Sequence, residues 1–267
     1  MKKHLIWAAA SAALLASCAK EETQTFTPAA TDLPQASITF VAEENADFTR
    51  AFFDNTTTTE AWEQSLSSLT VFCFEEGALV VRRNFTSAEL SSRRSTFALP
   101  RSTAGKSIEF YALANAAVDE NITTKTALLA LTEETPGSYN GTFANVSSKA
   151  LRSGGFLMSG TATKSIGAAG TTTEVAITLR RDVAKVAVQA SLSPAFADKY
   201  PGTVRITSVK LSRSAMQTPY FGGTPKTGAM TFTHTQTPGE TSGRFNALFY
   251  CFENAALASG SRVLLTL

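Results

Sequence analysis

Three cysteines, two histidines and two tryptophans are spread over 267 residues. A zinc site needs three or four ligands drawn from His, Cys and the acids, and one histidine, His4, lies in an N-terminal segment that reads as removable. The other, His234, lies in the Thr-rich stretch Thr231–Gln236 and is expected to be exposed and solvated. A Ser-His-Asp arrangement would have to be built on it. No Gly-x-Ser-x-Gly elbow, Walker-type phosphate loop or strand-linked Gly-x-Gly-x-x-Gly is present. The acid pairs Glu43-Glu44, Glu75-Glu76 and Glu133-Glu134 are adjacent, so on a strand their side chains point to opposite faces; they read as solvated turns, not catalytic dyads. Charge of either sign is not in surplus, with 24 Lys and Arg against 22 Asp and Glu, which gives no support to nucleic-acid binding. No catalytic residue, metal ligand or cofactor is therefore assigned.

Long apolar runs are also lacking. Lys2 and Lys3 precede the apolar run Leu5–Leu15, whose 11 residues fall short of the roughly 20 needed to cross a bilayer. Leu15-Ala16-Ser17-Cys18 closes it, and this order of charge, apolar run and small residues reads as a signal peptide over residues 1–17. Leu-Ala-Ser-Cys resembles the lipobox of bacterial lipoproteins, which implies cleavage between Ser17 and Cys18 and a lipid on the Cys18 thiol. Cys18-Ala19-Lys20-Glu21-Glu22 is similar to the Bacteroidetes lipoprotein export signal, which implies the outer leaflet of the outer membrane. A single acyl chain holds a protein only marginally at a membrane, so a stable anchor needs several. Removing Lys2 and Lys3 leaves 22 basic and 22 acidic residues. Cys73 and Cys251 then remain; both fall in apolar strand-like runs and read as buried free thiols.

What the chain does contain is β-branched and aromatic residue, with 18 Phe against 5 Tyr, a bias that fits strands. Residues 18–35 are polar and Pro-containing and read as a flexible tether. Alternation then predicts a strand over Ala36–Ala42. Leu69–Phe74 is apolar on both parities and predicts a strand buried on both faces. Glu75-Glu76-Gly77 turns it into a hairpin with Ala78–Val81. Further strands are expected over Ile108–Ala114, Glu174–Arg180, Ala184–Ala190, Asn246–Glu253 and Arg262–Leu267. The parity slip at Thr207-Ser208 suggests a bulge or break. Thr123–Leu131 is the one helical candidate. Arg181-Asp182 separates two long strands that form either a hairpin or a passage between domains. Many short strands and one short helix predict an all-β chain of β-sandwiches.

Five segments resemble, in order, the Bacteroidetes fimbrillin superfamily, the subunits of type V pili. They are Leu69–Gly77, Phe110–Asn115, Phe156–Gly160, Leu179–Val186 and Phe249–Asn254. The resemblance implies two tandem transthyretin-like β-sandwich domains, over 36–180 and 181–267, the C-terminal one reading as incomplete. It also implies a structural subunit, not an enzyme, that joins other fimbrial subunits by donor-strand exchange and meets host or bacterial surface ligands. In such subunits an Arg-specific protease removes the first strand, and Arg50-Ala51 is the matching candidate bond just after Ala36–Ala42. An uncut chain would instead be an anchor, held in the outer membrane by the lipid on Cys18. A surface glycan-binding lipoprotein is the rival reading. It needs an exposed aromatic platform, and Trp62 with a few Tyr are its only candidates.

Overall fold

The computed structural model describes residues 32–42, 65–134, 155–191, 193–200, 206–223, 230–235, 244–254, 260 and 262–267. Its strands are β1 Gln35–Ala42, β2 Leu69–Glu75, β3 Ala78–Asn84, β4 Arg94–Ala98, β5 Ser107–Ala114, β6 Thr132–Glu134 and β7 Met158–Ser165. They continue as β8 Thr172–Arg181, β9 Val183–Ser191, β10 Ser208–Ser214, β11 Gln217–Pro219, β12 Met230–Thr235, β13 Arg244–Phe252 and β14 Leu264–Thr266. The helices are short: α1 Ser87–Ser92, α2 Lys125–Leu129 and α3 Pro194–Lys199. The fold is all-β, as the sequence predicts.

Seven strands run in the order β3-β2-β5-β7-β8-β1-β4. The sheet folds over at β7 and β8, which pair only at Met158↔Arg181 and Ser159↔Arg180. The leaf β3-β2-β5-β7 thereby faces the leaf β8-β1-β4. Leu69, Val71, Cys73, Ile108 and Phe110 from one leaf enclose a common core with Ile38, Phe40, Val175 and Ile177 from the other. Gly160 sits at the fold: a Cβ there would lie 2.3 Å from the Thr178 carbonyl oxygen, so only glycine lets the strands approach. The other parity of β2 and β5 is buried too. Phe72, Phe74 and Leu113 pack with Leu128 of α2 and with Phe221, which is why β2 is apolar on both faces.

β8 and β9 are not a hairpin. β9 pairs with β13, and β10 pairs with β12 and β14. Val209, Leu211, Phe232, Phe245 and Phe249 form a separate core between them, with Val186 and Val188 packed against it. Of the bulge or break expected at Thr207-Ser208 the structure has a break, since β10 begins at Ser208; a bulge lies further on, between Leu211 and Ser214, where Arg213 takes a φ of 61°. Two other expectations are corrected. His234 is not solvated: on β12 it is 5% exposed and stands edge-on to Phe245, with 5.3 Å between ring centres. Glu133 is not in a solvated turn: on β6 it is 5% exposed and pairs in register with Thr218 of β11. Cys73 and Cys251 are buried and unbridged, as read from their apolar surroundings.

Asn115 holds the entry to the first leaf together. Its φ of 59° is one that Asn tolerates better than most residues. Its amide nitrogen donates to the carbonyls of Ser65 and Phe156, both at 2.8 Å. Its Oδ1 accepts from the Ser67 amide at 2.9 Å and the Ser67 hydroxyl at 3.1 Å. One side chain thus ties the starts of β2 and β7 to the end of β5. Asn115→Ala leaves these partners unsatisfied, and urea denaturation is expected to show a loss of about 2–3 kcal/mol. A loss below 0.5 kcal/mol, the usual range for surface changes, would contradict the clamp.

Asp182 sits in the passage from β8 to β9, where its amide donates to the Leu157 carbonyl at 3.3 Å. It lines a cleft of about 520 Å³ with Ser159, Thr218 and Glu253. Burial first, and then the nearby Glu133 charge, raise its carboxyl to about 8 against a lowering hydrogen bond with Ser159. The folded state therefore keeps a proton that the unfolded state releases near 3.8. Stability falls as pH rises through that window. Asp182→Asn removes this slope. Its melting temperature should match the parent near pH 4 and exceed it increasingly up to pH 8 in a calorimetric series; a constant difference across that range would refute the assignment.

Candidate functional site: the seat of the first strand

Ser17, Cys18, Arg50, Ala51 and Trp62 lie outside the described residues, so the structure brings none of them to a site. Burial pushes the Cys73 thiol up to about 12 and also raises that of Cys251, so neither supplies the thiolate that thiol chemistry uses. Among the described residues no group of three or more His, Cys, Asp or Glu could hold a metal ion. Among the described residues, the candidate site is the seat of β1.

β1 lies inside the sheet. Its eight residues run parallel to β8, from Gln35↔Thr172 to Ala42↔Leu179. Five of them run antiparallel to β4, from Gln35↔Ala98 to Thr39↔Arg94. Further bonds lock its start: Leu99 N–H donates to the Pro34 carbonyl at 2.8 Å, and Gly170 N–H to the Leu33 carbonyl at 3.2 Å. Alternation puts Ala36, Ile38 and Phe40 into the core and leaves Thr39 and Val41 exposed. Phe40 meets the Phe85 ring edge-on at 5.7 Å. Burial of Ile38 and Phe40 contributes about 2–3 kcal/mol each.

Polar contacts fix the neighbours. Arg94 Nε donates to Ser37 Oγ at 3.0 Å and its Nη2 pairs with Glu174 at 2.8 Å, so the guanidinium reaches across β1 from β4 to β8. Both Arg94 and Glu174 are more than half exposed, and such a pair adds little stability. Glu89 is a stronger tie. Its Oε1 accepts from Arg83 at 2.7 Å and from Ser95 Oγ at 2.5 Å. Its Oε2 accepts from the Thr86 amide, at 2.7 Å. Burial pushes this carboxyl up, but the bonds from Ser95, Thr86 and Arg83 outweigh it and hold it down at about 2. Glu89 thereby pins α1 to β3 and β4, next to the far end of β1.

Sequence reasoning predicted β1 but missed α1, α3, β4 and the partners of β1. The α1 signal was present as a capping box, with Thr86 accepting from the Glu89 amide and Glu89 reaching back to Thr86. Ser193-Pro194 likewise marks the start of α3. Chemically, the seat does one thing: two backbone ladders and alternating apolar positions hold an extended segment, the recognition mode of β-strand addition.

No curated relative matches the sequence. A fimbrial assembly protein from Parabacteroides distasonis ATCC 8503 is similar in structure, with a TM-score of 0.52 at 13% identity over 87% of this chain and 84% of that one. A fimbrilin (fimA) from Porphyromonas gingivalis W83 is similar with a TM-score of 0.51 at 15% identity, over 88% and 71%. At such identities the likeness concerns the fold. The sequence itself matches a family over residues 34–256, a span that begins at the first strand and runs past β13. By that match the chain belongs to the fimbrillin-A associated anchor proteins Mfa1 and Mfa2.

Proposed function

We propose that this chain is a structural subunit of a Bacteroidetes cell-surface fimbria that is exported as a lipoprotein. Cys18 carries the lipid after cleavage behind Ser17, and the lipid holds the subunit at the outer membrane. Residues 18–35 are its tether. Two sandwich domains, 36–180 and 181–267, form the body. An Arg-specific protease cuts between Arg50 and Ala51, β1 leaves, and a strand of another subunit enters its seat. The resulting fibre supports adhesion to host or bacterial surfaces.

One observation carries this reading. β1 is the first of the described strands, yet it lies between β8 and β4. Its removal leaves a groove with an unpaired edge on either side, the surface that templates an incoming strand. Cutting at Arg50 also removes six acids and two bases from the lipidated form. A second reading has a specific support, because the matched family is described by anchor proteins. In that reading Arg50 stays uncut and Cys18 roots the fimbria in the membrane.

Mass spectrometry of protein sheared from cells with the filaments separates the two. Ala51 as the N-terminus of the filament form supports exchange; lipidated Cys18 as the sole N-terminus supports the anchor and overturns cleavage. Arg50→Ala should leave the stability of the purified chain within about 0.5 kcal/mol and remove polymer from the cell surface in electron micrographs. Phe40→Ala should cost about 3–5 kcal/mol of stability.

A further inference from the structure

We propose that residues 215–221 are a docking arm. Through it the strands of the second core grip the leaf β3-β2-β5-β7 on the face turned away from β1, so that this leaf keeps its fold while β1 is out of its seat. This deepens the strand-exchange reading and rests on it for the event that empties the seat.

β10 and β12 are antiparallel neighbours, and Ser214 pairs with Met230. Such neighbours are usually joined by about 2–5 residues, yet here residues 215–229 intervene. The departure is built in. β10 carries its bulge between Leu211 and Ser214, and Asn254 Nδ2 donates to the Arg213 carbonyl at 2.8 Å. Met216 follows as an exposed residue. β11 then pairs with β6 as Gln217↔Glu134, Thr218↔Glu133 and Pro219↔Thr132. The Tyr220 amide extends that ladder to the Leu131 carbonyl at 3.0 Å. Phe221 is the anchor: it is 6% exposed and packs with Phe72, Phe74, Leu113, Leu128 and Leu157. Its ring stands edge-on to Tyr111 at 5.2 Å, and Tyr111 in turn stands edge-on to Phe74 at 5.7 Å.

The arm matters because β2 and β5 divide their side chains between two cores. Val71, Cys73, Ile108 and Phe110 share one with Ile38 and Phe40 of β1. Phe72, Phe74 and Leu113 share the other with the arm. Withdrawal of β1 therefore uncovers one face of the leaf, while the other stays buried under Phe221 and Leu128 of α2. β2 also keeps both of its neighbours, β3 and β5, and β5 keeps β2 and β7. Several paired strands with one apolar face covered are what an antiparallel sheet needs to persist. β4, by contrast, has only β1 beside it in the sheet order. The arm thus divides the sandwich into a part that opens with β1 and a part that waits folded, ready to receive a strand.

Hydrogen exchange of the full, uncut chain, followed by mass spectrometry of its peptides, tests this. In the parent, amides of β1 and β4 should exchange at least about tenfold faster than those of β2 and β5, the mark of a local opening short of global unfolding. Phe221→Ala should speed β2 and β5 by about 100-fold, toward the rate of β1, and leave β1 itself unchanged. Phe221→Leu, which keeps an apolar anchor and decides the matter should the Ala variant not fold, should speed them by about 3–10-fold. Met216→Ser, on the exposed part of the arm, should alter neither pair of strands. A single exchange step for β1, β2 and β5 in the parent overturns the arm, as do unchanged β2 and β5 in the Phe221 variants. Equal acceleration of β1 and β4 overturns it too, since Phe221 would then only add to overall stability. The N-terminus of the filament form reports on exchange separately: lipidated Cys18 alone, beside the expected hydrogen-exchange pattern, overturns exchange and leaves the arm.

Discussion

A strand inside a sheet satisfies backbone donors and acceptors on both edges, and withdrawing it strands two sets at once. Gln35–Ala42 is such a strand. It bonds in parallel to β8 and antiparallel to β4, and it delivers Ile38 and Phe40 to the core shared by both leaves. Without it β4 would have no neighbour in its leaf, since β4 joins the sheet order only through β1. The leaf is thus assembled around a segment that joins the rest of the chain only at its own two ends. Residues 43–64 separate it from the next described segment, so β1 lies inside its sheet yet is set apart along the chain from the strands it pairs with.

The motifs that resemble the fimbrillins solve separate backbone problems around this seat. In Phe74-Glu75-Glu76-Gly77 the turn residues Glu76 and Gly77 take φ values of 49° and 86°, as a two-residue hairpin whose turn matches the strand twist requires. In Ala114-Asn115 the asparagine ends β5 and gathers the starts of β2 and β7. In Met158-Ser159-Gly160 the glycine lets β7 cross β8. Each motif is short because each constraint is local. Their common order follows from one topology that meets all of them in turn.

Much of this was legible in the amino-acid pattern. Val175, Ile177 and Leu179 alternate inward, and β2 is apolar on both parities because each of its faces meets a core. What escaped was partnership. Alternation fixes which side chains point inward but not which strand lies alongside, and the pairing of β1 with β8 spans more than 130 residues, as at Gln35↔Thr172. Of the short helices, α2 falls within the expected Thr123–Leu131, whereas α1 escaped because it buries none of its own residues, so no apolar period marks it. Glu133 and His234 were misread for the opposite reason. Polar residues read as surface in isolation, whereas β6 and β12 carry them inward. The candidate site itself was half visible: the strand could be named, the groove could not.

A sheet whose inner strand is proposed to leave also has to resist pairing with the wrong one. The permanent edges of the seven-stranded sheet are β3 and β4, and both are poor templates. β3 carries the half-buried Arg82 and Arg83, and charge on an edge discourages further pairing. Arg82 is held in place by the Val118 and Asp119 carbonyls at 2.8 and 2.9 Å and lies 5.3 Å from the Phe72 ring centre. β4 is only five residues long. It ends at Ala98, two residues before Pro100, a residue that cannot donate to a ladder. The outer face around the seat is equally unattractive, with Thr39, Arg94, Thr96, Glu174 and Thr178 exposed. Within the seven-stranded sheet β3 and β4 are thus poor templates, whereas at the place of β1 two ladders and a series of inward positions bear on the strand that lies there.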